Sequence, residues 1–185
     1  MSVSNVSIVN GAFTMLGVDR IQALNETSEQ ARKANAIFED RRDALLEVHN
    51  WNFAIKERTL PLLSDEPILD AWTYVYQIPS DCIRVIQLNG DYPYAIYGTK
   101  LYTNSNDPRI KYVSRETDPT KFSKGFIKAL QSDIAAVLAF GITQNATLAT
   151  NMDAIAQRDL KEAKWSDAQS GEGIRIIRGN MFAGT

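Results

Sequence analysis

Histidine and cysteine are scarce in this sequence, which contains one of each, His49 and Cys82. Structural zinc sites are built largely from His and Cys ligands, so two such residues exclude a zinc site of that kind. A single cysteine also excludes an internal disulfide and fits a reducing compartment. We therefore expect no bound metal and no disulfide framework.

The sequence also lacks an excess of positive charge and a long apolar run. Its Lys and Arg residues number 20 and its Asp and Glu residues 22, a formal net charge of −2. Sequence-specific DNA binding through a basic surface is therefore not expected. We find no basic segment followed by an apolar run at the N-terminus, and no apolar stretch near the roughly 18 residues that suggest a membrane helix. These features predict a soluble protein that is made in a cytoplasm and does not bind a membrane.

Catalytic and phosphate-binding motifs are missing as well. The sequence contains no calcium-binding loop, no P-loop and no G-x-S-x-G element. Residues 171–173 form a bare G-x-G in a tail, and the neighbours Ser123 and Lys124 would point in different directions on a helix. Cys82 falls inside a predicted strand, which argues against a Cys82–His49 dyad. A pair of Asp and Glu side chains for glycoside hydrolysis stays open, although no feature selects a pair. We expect neither catalysis nor a cofactor.

Two helices are predicted in the first part of the chain. The first ends at Gly17, a residue that commonly stops a helix, and its apolar face contains Val6, Val9, Phe13 and Leu16. Thr27 and Gln30 match a capping box, from which a second helix is predicted to run to about His49. The apolar face of this second helix contains Ala34, Phe38, Leu45 and Val48.

A change to alternating polarity from about residue 71 predicts strands. The segments are "WTYVYQIP", "CIRVIQL", "YPYAIY", "KLYT" and "RIKYVSRE". The pair Asn89-Gly90 is typical of a tight hairpin, so these strands are expected to form one small antiparallel meander. Asp118 and Pro119 then predict the start of another helix. The apolar face after it contains Ile127, Leu130, Ile134, Val137 and Leu138, and a further helix continues with Met152, Ile155, Ala156, Leu160 and Ala163.

This order predicts an α+β fold in which helices from both ends share one bundle. We assign residues 1–70 and 116–168 to the bundle and residues 71–115 to an antiparallel β insertion. Residues 169–185 are predicted to be a flexible C-terminal docking tail, because they contain glycines and no helix cap. The residues expected to make its contacts are Ile174, Arg175, Ile176, Ile177, Arg178, Met181 and Phe182. The alternative is that the tail packs back on the helices of its own chain.

The segment "HNWNFA", residues 49–54, contains the single histidine. Asn50 is a good helix terminator, which places His49 in a last turn, where an imidazole can cap free carbonyls. Trp51 and Phe53 alternate beyond it. We interpret His49, Trp51 and Phe53 as a structural latch between the helix and the first extended segment.

These residues also resemble the tail tubular protein A family, the head-to-tail adaptors of short-tailed bacteriophages. That family has a helix ending in Leu-Gly, an I-x-x-L connector, a Ser-x-x-Ala helix start and a His-Pro-Trp-Asn-Phe-Ala junction. The matching residues here are Leu16, Gly17, Ile21, Leu24, Ser28, Ala31, His49, Trp51, Asn52, Phe53 and Ala54. Further matches are Tyr76, Gln77, Pro79, Asp81, Cys82, Arg84, Val85, Asp118, Phe122, Phe126, Ala129, Leu130 and Ala135. The resemblance covers roughly residues 5 to 145 and departs from the family at Asn50, where proline is usual.

The resemblance implies a structural virion protein in the phage tail, assembled in the host bacterial cytoplasm. It implies a ring of about a dozen copies that binds the portal and supports the tubular nozzle. DNA would pass through the lumen during genome ejection without specific binding. The tail segment would then bind the portal or a neighbouring copy. The alternative from another class is a tail-associated cell-wall hydrolase that uses an Asp/Glu pair.

Overall fold

Four α-helices and six β-strands make up the part of the chain that the computed structural model describes, residues 3–65, 67 and 71–171. The helices are α1 (Asn5–Leu16), α2 (Glu29–Glu47), α3 (Lys124–Thr143) and α4 (Ala146–Ser170). The strands are β1 (Ile55–Thr59), β2 (Tyr74–Gln77), β3 (Cys82–Leu88), β4 (Tyr94–Tyr97), β5 (Lys100–Thr103) and β6 (Arg109–Ser114). The predicted α+β class is confirmed.

Helix α3 is the centre of the bundle, because α1, α2 and α4 all pack against it. Its buried face includes Phe126, Leu130 and Ile134, which join Phe13 of α1 and Phe38 of α2 in one apolar core. Helices from both ends of the sequence therefore share this core, as predicted.

The helix ends match the sequence prediction in one place and differ in two. Gly17 ends α1 in the left-handed conformation, with φ of 70°, as predicted. The cap of α2 is Ser28, whose hydroxyl accepts from the backbone N–H of Ala31, so the Thr27–Gln30 capping box was wrong. Asp118 caps only a short 3₁₀ turn, and α3 begins later, with Ser123 as its cap.

The strands form two three-stranded antiparallel sheets rather than one meander. Their orders are β1-β6-β3 and β2-β5-β4. The hairpin predicted at Asn89-Gly90 is wrong, because β3 pairs with β6 while β4 pairs with β5. Gly90 instead lies in a 3₁₀ turn, with φ of 71°. Strand β1 begins at Ile55, before the first predicted strand, and pairs with β6 across the boundary predicted at residue 70.

A second apolar core lies among the strands. Its buried residues are Leu60, Tyr76, Ile78, Leu88, Leu101, Ile110 and Tyr112. Val113, the neighbour of Tyr112 on β6, belongs instead to the core of the helices. Successive residues of a strand point to opposite faces, so β6 contributes to both cores.

Helix α3 corrects the expectation that no segment is apolar enough for a membrane span. Among the described helices it alone is long and apolar enough to cross a membrane by length and composition. A core helix of a soluble protein passes the same test. The apolar side chains of α3 pack on three other helices, which accounts for its composition.

Helix α4 extends to Ser170, slightly beyond the start predicted for the tail at residue 169. Residues 172–185 lie outside the described part of the chain. The predicted docking residues between Ile174 and Phe182 all fall in that range.

Candidate functional site: the junction at residues 49–54

Trp51 is the centre of the junction between α2 and β1. It has 0% of its surface exposed, and its indole Nε1 donates to the backbone carbonyl of Leu45 at 2.7 Å. Its ring meets that of Phe126 edge to face, with centroids 5.0 Å apart. Phe53 also packs edge to face on Phe126, at 5.1 Å. The segment after α2 is therefore held against the first turn of α3.

Asp167, near the end of α4, joins the same segment from the other side. Only 7% of this residue is exposed, and its carboxylate accepts from the backbone N–H of Asn52 at 3.2 Å. The side-chain amide of Asn52 donates in return to the backbone carbonyl of Asp167 at 2.7 Å. His49 completes the contact, with its Nε2 3.1 Å from Oδ2 of Asp167. The junction thus ties the end of α4 to the end of α2.

The imidazole of His49 does not take the carbonyl-capping position that the sequence suggested. It lies edge to face on Trp51, with centroids 4.8 Å apart. The capping position belongs to Arg84 of β3, which donates to the backbone carbonyl of Glu47 at 3.3 Å and to Oδ1 of Asn50 at 2.6 Å. Asn50 therefore has a hydrogen-bond partner of its own.

A His–Asp pair raises the question of a hydrolytic triad. Across the described residues, no serine or threonine hydroxyl is hydrogen-bonded to His49. The hydroxyl of Ser123 accepts from the N–H of Phe126 as the cap of α3. Ser170 donates to the carbonyl of Ser166. These contacts are those of local helix structure, and among the described residues neither hydroxyl is bonded to His49.

A cleft of about 360 Å³ opens beside the junction, between the first turn of α3 and the end of α4. Its lining residues are Asn52, Phe53, Ser123, Lys124, Gly125, Ala163, Ser166, Asp167 and Ser170. Gly125 lets the two helices approach closely, because a Cβ there would lie 3.3 Å from Cα and Cβ of Ala163. The cleft therefore marks a tight helix crossing.

Three other ionisable groups, those of Cys82, Glu116 and Asp159, have pKa values shifted by their surroundings. Burial, with a smaller contribution from Asp81, raises the pKa of the Cys82 thiol to about 11, so the thiol is protonated and poorly nucleophilic at neutral pH. Burial alone would raise the pKa of Glu116, but its hydrogen bonds from the N–H of Asp118 and from Lys121 lower the pKa overall. The pKa of Asp159 is lowered in the same way by Lys128 and Arg158, which outweigh its burial.

Sequence reasoning placed His49, Trp51 and Phe53 at this junction but missed Asp167. A signal was present, because the spacing of Met152 and Ala163 on the buried face of α4 continues to Asp167. A carboxylate at a buried helical position requires a partner. What the sequence could not show is that the partner lies at residues 49–52.

Comparisons with known proteins add no family assignment. No protein-family model matches the chain, and curated proteins give no significant match.

Proposed function

We propose that this protein is a structural head-to-tail adaptor of a short-tailed phage, which forms a ring between the portal and the tail nozzle. The observation that carries the proposal is the junction at residues 49–54. These residues form the most specific part of the resemblance to the tail tubular protein A family. In the fold, the Trp51 indole donates to the carbonyl of Leu45, and Asn52 exchanges hydrogen bonds with Asp167. Ala54 accepts from the hydroxyl of Ser114 on β6, at 2.8 Å, and so ties the junction to the sheet.

A rigid connection between helices and sheets suits an adaptor. The junction joins the end of α2, the start of α3 and the end of α4 to the first strand. A subunit that carries load between two rings gains from such a connection, because its helical and β parts then move together. In this proposal DNA passes through the lumen without base-specific contacts, and the segment from Ile174 to Phe182 docks on the portal.

The hydrolase alternative has less support from the site. A glycosidase requires a carboxyl group whose pKa is raised, so that it can act as a general acid. Two of the three buried carboxyl groups among the described residues, those of Asp159 and Glu116, have lowered pKa values, and each is paired with a cation. Clearing on a peptidoglycan zymogram by the pure protein, lost on replacement of one Asp or Glu, would favour the hydrolase.

We expect the isolated protein to sediment as a monomer at micromolar concentration and to form rings when the portal of the same virus is added. The outer face of α2 carries exposed charged residues such as Glu39, Asp40 and Glu47, unlike the continuous apolar surfaces of obligate oligomers. Analytical ultracentrifugation with and without the portal measures both states. A stable ring of the isolated protein at micromolar concentration would contradict this expectation.

A further inference from the structure

A groove runs between α2 and α4 over one side of α3. Helix α3 forms its floor, and no extensive contact between α2 and α4 closes it among the described residues. The groove contains a cleft of about 220 Å³. Its lining residues are Arg41, Leu45, Ala129, Asp133, Ala136, Val137, Asp153, Ala156, Gln157 and Leu160. The lining is therefore mostly apolar, and its polar members are Arg41, Asp133, Asp153 and Gln157.

Two large apolar side chains of α3 are exposed, Val137 in the lining of this groove and Phe140 next to it. Val137 is 47% exposed, and Phe140, one helical turn further along α3, is 55% exposed. The sequence had placed Val137 on the buried face of this helix. The Arg41–Asp133 pair, with two hydrogen bonds of 2.7 Å, holds α2 and α3 together beside Val137. Exposed apolar side chains in and beside a formed groove are typical of a binding surface.

Trp165 on α4 is another large apolar side chain that is exposed, like Val137 and Phe140. Its exposed fraction is 67%, the largest among the big apolar side chains of the described residues. An α-helix turns by about 100° per residue, so Trp165 lies roughly 140° around α4 from Leu160, which lines the groove. Trp165 therefore points away from the groove of its own chain.

The charges around the two features are complementary. Within the described part of the chain, Asp153 in the lining of the groove makes no ion pair. Lys161 and Lys164, which lie four residues and one residue before Trp165, also make no ion pair among the described residues. Among the described residues, the unpaired charges beside Trp165, Lys161 and Lys164, are thus opposite in sign to Asp153, the unpaired charge of the groove. Glu162 beside Trp165 is already paired with Lys128, and Arg41 in the groove is paired with Asp133.

We propose that Trp165 of one copy of this protein docks in the α2–α3–α4 groove of the next copy. The contact joins two different surfaces, so it is heterologous, and it repeats around a ring when the rotation from one copy to the next closes. Lys161 and Lys164 would face Asp153 across the contact, and the indole would cover Val137. Tryptophan is enriched among the residues that dominate interface energies. The closing of these contacts into a ring on a portal rests on the proposed function. The contact between two copies does not require the portal.

The test uses three variants of the full chain. Trp165→Ala removes the inserted side chain, and Val137→Glu puts a like charge near Asp153. Tyr92→Ala is the matched control, since Tyr92 is also exposed, at 47%, but lies between β3 and β4. All three positions are exposed, so circular dichroism should show wild-type helix content and melting in each variant.

Self-association is then measured by sedimentation over a concentration series and by ring formation on the portal. We expect Trp165→Ala and Val137→Glu each to weaken self-association by about thirtyfold or more, as truncation of a dominant interface residue does. Tyr92→Ala should behave as wild type. A mixture of the two defective variants should form one-to-one pairs and no rings, because each retains the surface that the other lacks.

The outcomes separate this inference from the proposed function. Rings on the portal that survive both Trp165→Ala and Val137→Glu would overturn the inference and leave the adaptor proposal standing. The protein could instead associate through Trp165 at high concentration and yet fail to bind the portal. That result would support the inference and count against the adaptor proposal. Absence of any Trp165-dependent association, on the portal or at high concentration, overturns the inference.

Discussion

Replacement of Trp51 by alanine is expected to lower the free energy of unfolding by about 3–5 kcal/mol. The side chain is fully buried, with its ring against those of His49 and Phe126. Its removal would leave a cavity between α2 and the start of α3. It would also leave the backbone carbonyl of Leu45 without the indole N–H that now bonds it. The loss combines burial, a cavity and a broken hydrogen bond.

Urea unfolding followed by circular dichroism measures this loss. Trp51→Phe is the graded control, because it keeps much of the buried ring while it removes the bond to Leu45. Its destabilisation should fall between those of the wild type and the alanine variant. A Trp51→Ala protein that unfolds at the wild-type urea midpoint would show that the junction does not stabilise the fold.

His49→Gln provides the matched test of a chemical role at the same junction. A glutamine amide can still donate to the carboxylate of Asp167, so most of the contact that the imidazole makes at 3.1 Å is retained. We expect the variant to fold normally and to keep most of its assembly on the portal. Normal folding with complete loss of biological activity would instead indicate that the imidazole acts chemically.

Deletion of residues 172–185 is expected to abolish binding to the portal while the melting temperature stays nearly unchanged. Helix α4 ends at Ser170, so the cut leaves every described element complete. The deleted segment contains Ile174, Ile176 and Ile177 with two arginines between and beside them. Such a sequence is suited to pair with a strand edge or to lie in a groove of a partner, with the arginines facing carboxylates.

Co-sedimentation with purified portal and differential scanning calorimetry measure the two effects of the deletion. Removal of residues 183–185 alone is the control and should leave binding intact. A charge-reversed variant, Arg175→Glu with Arg178→Glu, should lose most of its binding without loss of stability. A chain truncated after Gly171 that binds the portal with wild-type affinity would refute the docking role.

The helices were predictable because their signals are local. The apolar spacing of α1 and the stop at Gly17 both lie within a few turns of chain. The sheets were less predictable, since strand pairing joins residues far apart in sequence. Asn89-Gly90 has the composition of a hairpin turn, yet β3 pairs with β6, whose apolar side chains Ile110 and Tyr112 help to form the second core. The pairing of β3 with β6 therefore follows the burial of that core and not the composition of the turn at Asn89-Gly90.

The junction at residues 49–54 was also predictable only in part. Trp51 was recognisable as buried, and Phe53 as packed against the same core, from their alternation beyond a helix stop. Asp167 was not recognisable as their partner, because it lies 118 residues from His49 in the sequence. Arg84, whose side chain caps the end of α2 by donating to the carbonyl of Glu47, likewise lies on a strand distant in sequence. Local sequence indicates which residues need partners, and tertiary packing decides which partners they find.

Electron cryomicroscopy of this protein mixed with the portal of the phage that the adaptor proposal implies is the most direct test of that proposal. The account predicts an added ring of density beneath the portal, continuous around the central channel, with copies related by the symmetry of the ring. Neighbouring copies should meet with Trp165 of one at the α2–α3–α4 groove of the next. A portal that remains bare at saturating concentrations of correctly folded protein would contradict the account.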